Sequence, residues 1–155
     1  LSFVACQSDR KNSGGKDHEV PEVRTPEVTA ESPNAPELPW ETSVDPETGK
    51  VGLAQTDSSQ DLNAQQVVEA ANIKYTRIRL ELVDVKEGTA YVKIADPSYL
   101  TQQMGSAGAE AYLAEITYSL TSVKGVKAVN FDFTAGDHAG PGTYTRENFG
   151  FLKEP

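Results

Sequence analysis

The prolines and acids of this chain are gathered toward one end, and that asymmetry limits how much of it can build a core. Six of the nine prolines fall within residues 7–62, with twelve Asp or Glu against five Lys or Arg. The near repeats Val20-Pro21-Glu22-Val23 and Thr25-Pro26-Glu27-Val28, then Ala35-Pro36-Glu37-Leu38-Pro39, favour extended or polyproline II backbone and offer little apolar surface to bury. Such a composition does not offset the entropy of ordering the chain, and its like charges repel one another. Residues 7–60 are therefore expected to form a disordered acidic linker. Trp40 is the exception in it, a contact for the folded part or for a partner. The folded part is expected over residues 61–155, a length that suffices for one small core.

The first 62 residues carry twelve acidic and five basic side chains, net −7, and the remaining 93 carry eleven and nine, net −2. Binding nucleic acid through its phosphates needs a basic stripe, and binding anionic lipid headgroups needs clustered Lys or Arg; the sequence has neither. No stretch after the N-terminus approaches the roughly 20 apolar residues of a spanning helix. A single cysteine, Cys6, rules out a disulfide within the chain and a site built on several thiolates. The run Leu1-Ser2-Phe3-Val4-Ala5-Cys6, apolar and ending in a small residue and that cysteine, resembles the end of a bacterial lipoprotein signal peptide. The resemblance implies that residues 1–6 end such a peptide, that Cys6 carries the lipid, and that the protein sits on the extracytoplasmic side of a bacterial membrane.

Periodicity organises the rest. Ala64, Val67, Val68 and Ala71 recur at helical spacing between Leu62 and Asn72, with Asp61 or Asn63 available as the cap. Ile78, Leu80 and Leu82 then alternate with Arg77, Arg79 and Glu81, the period of a half-buried strand. The alternation slips at Val83 and Val85, which marks a bulge or the end of burial. Lys86-Glu87-Gly88 supplies a turn into a second strand with Ala90, Val92 and Ile94 inward. Asp96-Pro97 reads as a helix start, interrupted at Gly105-Ser106, with Ser106 as the cap of a longer helix. Ala109, Tyr112, Leu113, Ile116, Leu120 and Val123 form one apolar stripe on that helix, which Gly125 ends. Val126, Val129, Phe131 and Phe133 make a third strand. The expected fold is α+β, in the order helix, strand, strand, helix, strand, with the helices on one face of a three-stranded sheet.

Several of these segments together resemble a known family. Ala90-Tyr91-Val92 follows a hairpin turn, Gly105-Ser106 with Glu110 opens a helix, Ile116-Thr117-Tyr118-Ser119-Leu120-Thr121 continues it, and Gly125-Val126-Lys127-Ala128-Val129 leads into a strand. This series resembles the GerMN domain of bacterial sporulation and spore-germination lipoproteins, over about residues 61–136 and in one copy. It implies a small domain similar to ring-building motifs, in a lipoprotein that helps envelope assemblies form. The implied partners are the membrane, through the lipid on Cys6, and another envelope protein or a second copy of the chain.

Candidate chemistry is sparse. Asp137, His138, Tyr144 and Arg146 crowd one segment, so an alternative reading is a small envelope enzyme with its site in the loop from Gly136 to Arg146. Against it stands the lack of paired carboxylates, of a nucleophile beside a base, or of a ligand cluster, so neither a metal nor another cofactor is expected. Binding requires less. Arg77, Arg79, Glu81 and Lys93 are expected to line the wet face of the hairpin and to meet a partner there, or an edge strand of the sheet to do so. Phe149, Phe151 and Leu152 read as a last strand or a partner-binding hook, with core closure the more common use of such residues. The lipid reading gives a direct expectation: a diacyl anchor at about 0.8 kcal/mol per buried methylene holds stably. Protein expressed from the complete gene should sediment with membranes, and its Cys6→Ser variant should move to the soluble fraction.

Overall fold

A computed structural model of the chain describes residues 35–152. Two strands come first, β1 (Trp40–Val44) and β2 (Val51–Gln55), paired antiparallel as a sheet of their own. Asp45 makes their connection, its carboxylate accepting the N–H groups of Glu47 at 2.8 Å and Thr48 at 2.9 Å. Those two bonds hold the Asp45 carboxyl below its usual pKa. Helix α1 (Ala64–Lys74) follows, opened by Asn63, which accepts the Gln66 N–H while the Gln66 side chain accepts the Asn63 N–H.

The larger sheet has the order β3-β4-β5-β6, from β3 (Leu80–Lys86), β4 (Thr89–Ile94), β5 (Ala128–Asp132) and β6 (Gly142–Tyr144). Glu87 and Gly88 both take positive φ in the two-residue turn between β3 and β4, as a hairpin of right-handed twist requires. The register between those strands shifts between Leu82 and Asp84, so the slip at Val83 is a bulge. From β4 the chain passes through a π-helical turn, Tyr99–Gln103, and helix α2 (Gly105–Leu120), then returns as β5 parallel to β4. A 3-10 turn, Arg146–Phe149, follows β6. Leu80, Ala90, Val92, Ile94, Val129 and Phe131 are buried on the inner side of this sheet. Glu81, Lys93 and Asp132, on the other side, are exposed.

Three expectations need correction. The sheet has four strands, because Gly142–Tyr144 pairs with β5; three residues behind a glycine-rich loop give no period to read. Residues 35–60 are not a linker, because β1 and β2 lie within them and belong to the compact body, which therefore does not begin near Asp61. Leu38, Trp40 and Leu53 are core residues, Trp40 with 6% of its surface exposed. The physical reason is that β1 and β2 pack on the outer face of α2, so a segment too poor in apolar residues to fold alone borrows its burial from a helix. Helix α2 is accordingly buried all round its middle, from Ala111 through Thr117, and is not a one-sided helix lying on a sheet. Cys6, the signal-peptide expectation for residues 1–6, and the repeats at residues 20–28 lie outside the described residues.

Glu115 of α2 is 0% exposed and joins these layers. One carboxylate oxygen accepts both the Thr42 N–H and the Thr42 hydroxyl, each at 2.7 Å. The other has Lys74 Nζ at 2.7 Å as its partner, an ion pair without hydrogen-bond alignment. Trp40 stands edge-on to Tyr118, ring centroids 5.0 Å apart, and donates its indole N–H to Ser122 Oγ at 3.0 Å. Burial and the charge on Glu115 raise the Tyr75 phenol pKa, and burial with the neighbouring Tyr75 and Glu115 raises that of Tyr112.

Removing the cation from a buried pair costs about 3–5 kcal/mol. The Lys74 side chain keeps 41% of its surface exposed, so water can partly replace it, and Lys74→Met should cost about 2–3 kcal/mol by that principle. Glu115→Gln keeps an acceptor for Thr42 and should cost about 1 kcal/mol; denaturant titration orders the two. A phenol whose pKa is raised by folding contributes stability that is complete below the unfolded pKa, 10.0 for Tyr75 and Tyr112, and declines as pH rises past it. The melting temperature should therefore fall steeply above about pH 10, and Tyr112→Phe should flatten that fall.

Candidate functional site

The four residues expected to meet a partner divide into two places and one structural duty. Glu81 and Lys93 are directly opposed across β3 and β4, and Lys93 is opposed to Asp132 on β5. These three form a row of alternating charge on the open face of the sheet. A second row holds Tyr91, Asn130 and Thr143, with the Asn130 amide donating to Thr143 Oγ1 at 2.9 Å and Lys86 Nζ 5.1 Å from the Tyr91 ring centre. A groove of about 420 Å³ runs between Tyr91, Asn130 and Pro141, beside Val83, which is 65% exposed. Arg77 is elsewhere. Its guanidinium lies 4.1 Å from the Tyr99 ring centre and donates to Gln103 Oε1 at 2.9 Å, so it ties the start of β3 to the π-helical turn.

Arg79, with Glu81, lines a larger groove of about 600 Å³ between α1 and β3. Val68, Leu80 and Leu82 give it an apolar floor, and Glu69 stands on the α1 side. On the opposite flank of α1 a second groove, of about 260 Å³, is lined by Leu38, Trp40 and Ala70 with Glu37, Glu41 and Lys74. Ile73 lines both and is 58% exposed. The helical period had shown the buried stripe of α1 but gave no role to Ile73, which is off that stripe. Its signal was an isoleucine on a face otherwise made of Gln65, Gln66 and Glu69.

The edge of the sheet at β3 is guarded. The Asn72 carboxamide accepts the Leu80 N–H at 2.8 Å and donates to the Leu80 C=O at 2.9 Å, as a neighbouring strand would. Asp84 takes the Val85 N–H at 2.8 Å with its own carboxylate, and the bulge at Val83 breaks the ladder between them. Each of these devices discourages another strand from pairing. At the other edge β6 is three residues long.

The residues of the loop from Gly136 to Arg146 diverge. His138 Nδ1 meets Ser106 Oγ at 3.1 Å, at the start of α2. Ser106 thus pairs with His138, and no side chain caps that helix. Arg146 is at the other end, donating to Thr121 Oγ1 at 2.8 Å, to the Tyr118 C=O at 3.1 Å and to Ser122 Oγ at 3.0 Å. Its guanidinium also lies 5.3 Å from the Trp40 ring centre and 4.7 Å from that of Tyr118. A helix of 16 residues is about 24 Å long, so His138 and Arg146 cannot act on one atom. Arg146 instead satisfies carbonyl and hydroxyl groups at the helix C-terminus, where a cation is favoured. Phe149 stacks on Tyr144 and is buried with Leu152, whereas Phe151 is exposed. Among the described residues no three His, Cys, Asp or Glu side chains gather as a metal site.

No curated protein and no solved structure matches the chain. The family model Germane, described as sporulation and spore germination, matches residues 15–133. That span takes in the β1–β2 hairpin and ends just past β5, so it is longer at its start than the motifs around the second hairpin and α2 implied. With most of its length matched, the chain belongs to the Germane family of sporulation and spore germination.

Proposed function

We propose that this protein is a lipid-anchored docking module of the cell envelope, working by binding another protein of a sporulation or germination assembly and not by catalysis. The family supports the biological setting. The sequence at Leu1 to Cys6 supports the anchor, and no helix among the described residues is long and apolar enough to cross a membrane. The observation that carries the binding reading is a contrast of geometry. The polar side chains most suited to chemistry, His138 and Arg146, are tied to opposite ends of α2, while Arg79 and Glu81 stand exposed beside an open groove and Lys93 stands exposed between Glu81 and Asp132. A surface of fixed charges and shallow apolar floors recognises a partner without an acid, base or nucleophile.

The test uses the intact protein in cells entering sporulation. A photo-reactive residue in place of Val83 or Ile73 should crosslink to one envelope protein. Reversing charge at Glu69 and Glu81 together should weaken that adduct about tenfold, with unfolding free energy changed by less than about 0.5 kcal/mol because exposed charges contribute little. Arg77→Glu should lower stability as well, since Arg77 holds Tyr99. His138→Ala should leave sporulation or germination intact. If His138→Ala abolishes function while fold and adduct persist, the enzyme reading replaces this one.

A further inference from the structure

The charge of the folded part is concentrated on the β1–β2 hairpin and α1. Residues 35–74 carry seven acidic and two basic side chains, net −5, whereas residues 75–152 carry nine and seven, net −2. One of the two cations, Lys74, is already bound to the buried Glu115 at 2.7 Å. Around the exposed Ile73 the grooves present Glu37 and Glu41 on one flank, Glu69 and Glu81 on the other, and Arg79 as the cation not paired to a carboxylate among the described residues. Apolar floors lie beneath these carboxylates, from Val68, Leu80 and Leu82 on one side and Leu38, Trp40 and Ala70 on the other.

We propose that the two grooves flanking Ile73 receive a basic amphipathic helix from a partner protein. The proposal rests on the docking reading above and names the site and the chemistry of the partner. Charge decides the sign: a second copy of this face, or an anionic lipid surface, would bring like charges together, and a segment rich in Lys or Arg is attracted. Backbone chemistry decides the shape. An added strand needs free edge groups, and Asn72 occupies those of Leu80 while Asp84 takes the N–H of Val85. A helix satisfies its own backbone and asks only for grooves. The grooves are separated by the width of α1, about 10 Å. Two apolar side chains at i and i+7 of a helix, seven residues at about 1.5 Å each, are about 10 Å apart and reach one groove each.

The probe is an 18-residue peptide of leucine and lysine with leucines at i, i+3, i+4 and i+7, titrated into the full chain at 0.15 M salt. Trp40, the single tryptophan, lines one groove and reports binding by its emission. Saturable binding is expected, at least tenfold weaker for a peptide of the same composition in scrambled order. Ile73→Gln should weaken the amphipathic peptide about tenfold, and Glu41→Lys with Glu69→Lys by more, with melting temperatures unchanged because all three side chains are exposed. No binding, equal binding of the scrambled peptide, or undiminished binding to Ile73→Gln overturns the site. Those outcomes leave the docking reading standing wherever the crosslink from Val83 persists in cells. Loss of every cellular crosslink, with peptide binding intact, sinks the docking reading and not the site.

Discussion

One carboxylate holds the layers of this domain together. Glu115 sits in the middle of α2, out of contact with water, and each of its oxygens is answered from a different element, β1 through Thr42 and the end of α1 through Lys74. A buried charge is tolerable only while its partners stay in place. The ion pair therefore does less for net stability than for arrangement, since a hairpin shifted along α2 would strand the charge. Trp40 and Arg146 fix the same hairpin farther along the helix, by ring contact, indole N–H and guanidinium. The pairing of a few polar groups thus selects the position of a segment that apolar contacts alone would hold loosely.

How much of this could be read from the sequence depended on the length of each pattern. Helix α1, the β3–β4 turn at Glu87-Gly88 and the stripe of α2 were legible, because each is carried by several residues in a local pattern, and the slip at Val83 was visible although its nature as a bulge was not. The β1–β2 hairpin was not. Averaged over residues 7–60, acids and prolines hide the alternation of Leu38, Trp40 and Thr42 and the Asp45 turn that follows it, both of which are local hairpin signals. The outer face of α2 misled for a related reason. Glu115 and Tyr118 look like solvent-facing residues until something polar is found to lie over them, and that something was the segment read as a linker.

The surface residues were legible in part. Alternation alone put Arg79, Glu81 and Lys93 outside, and outside they are. Nothing in the alternation could tell that Arg77 turns back onto Tyr99, since a ring 22 residues away by chain numbering is a tertiary neighbour only. Ile73 was invisible for the opposite reason. Periodicity finds the residues a helix buries, and an apolar residue left on the wet side appears to it as noise. The guarding of the β3 edge was equally hidden, because Asn72 acts there through the helix that carries it and not through the strand it protects.

The clasp between Trp40 and Ser122 spans 82 positions of the chain, and that between Thr42 and Glu115 spans 73. During synthesis the first hairpin emerges long before the helix that gives it burial, and Arg146, which covers Trp40, emerges later still. The N-terminal strands thus wait undocked until α2 is complete, and their docking closes loops of 73 and 82 positions. Closing a long loop is entropically slow relative to local hairpin and helix formation. The scarcity of apolar residues in that stretch, with its prolines and acids, acquires a second meaning in this light: a segment that must wait exposed is composed so that it can do so without aggregating.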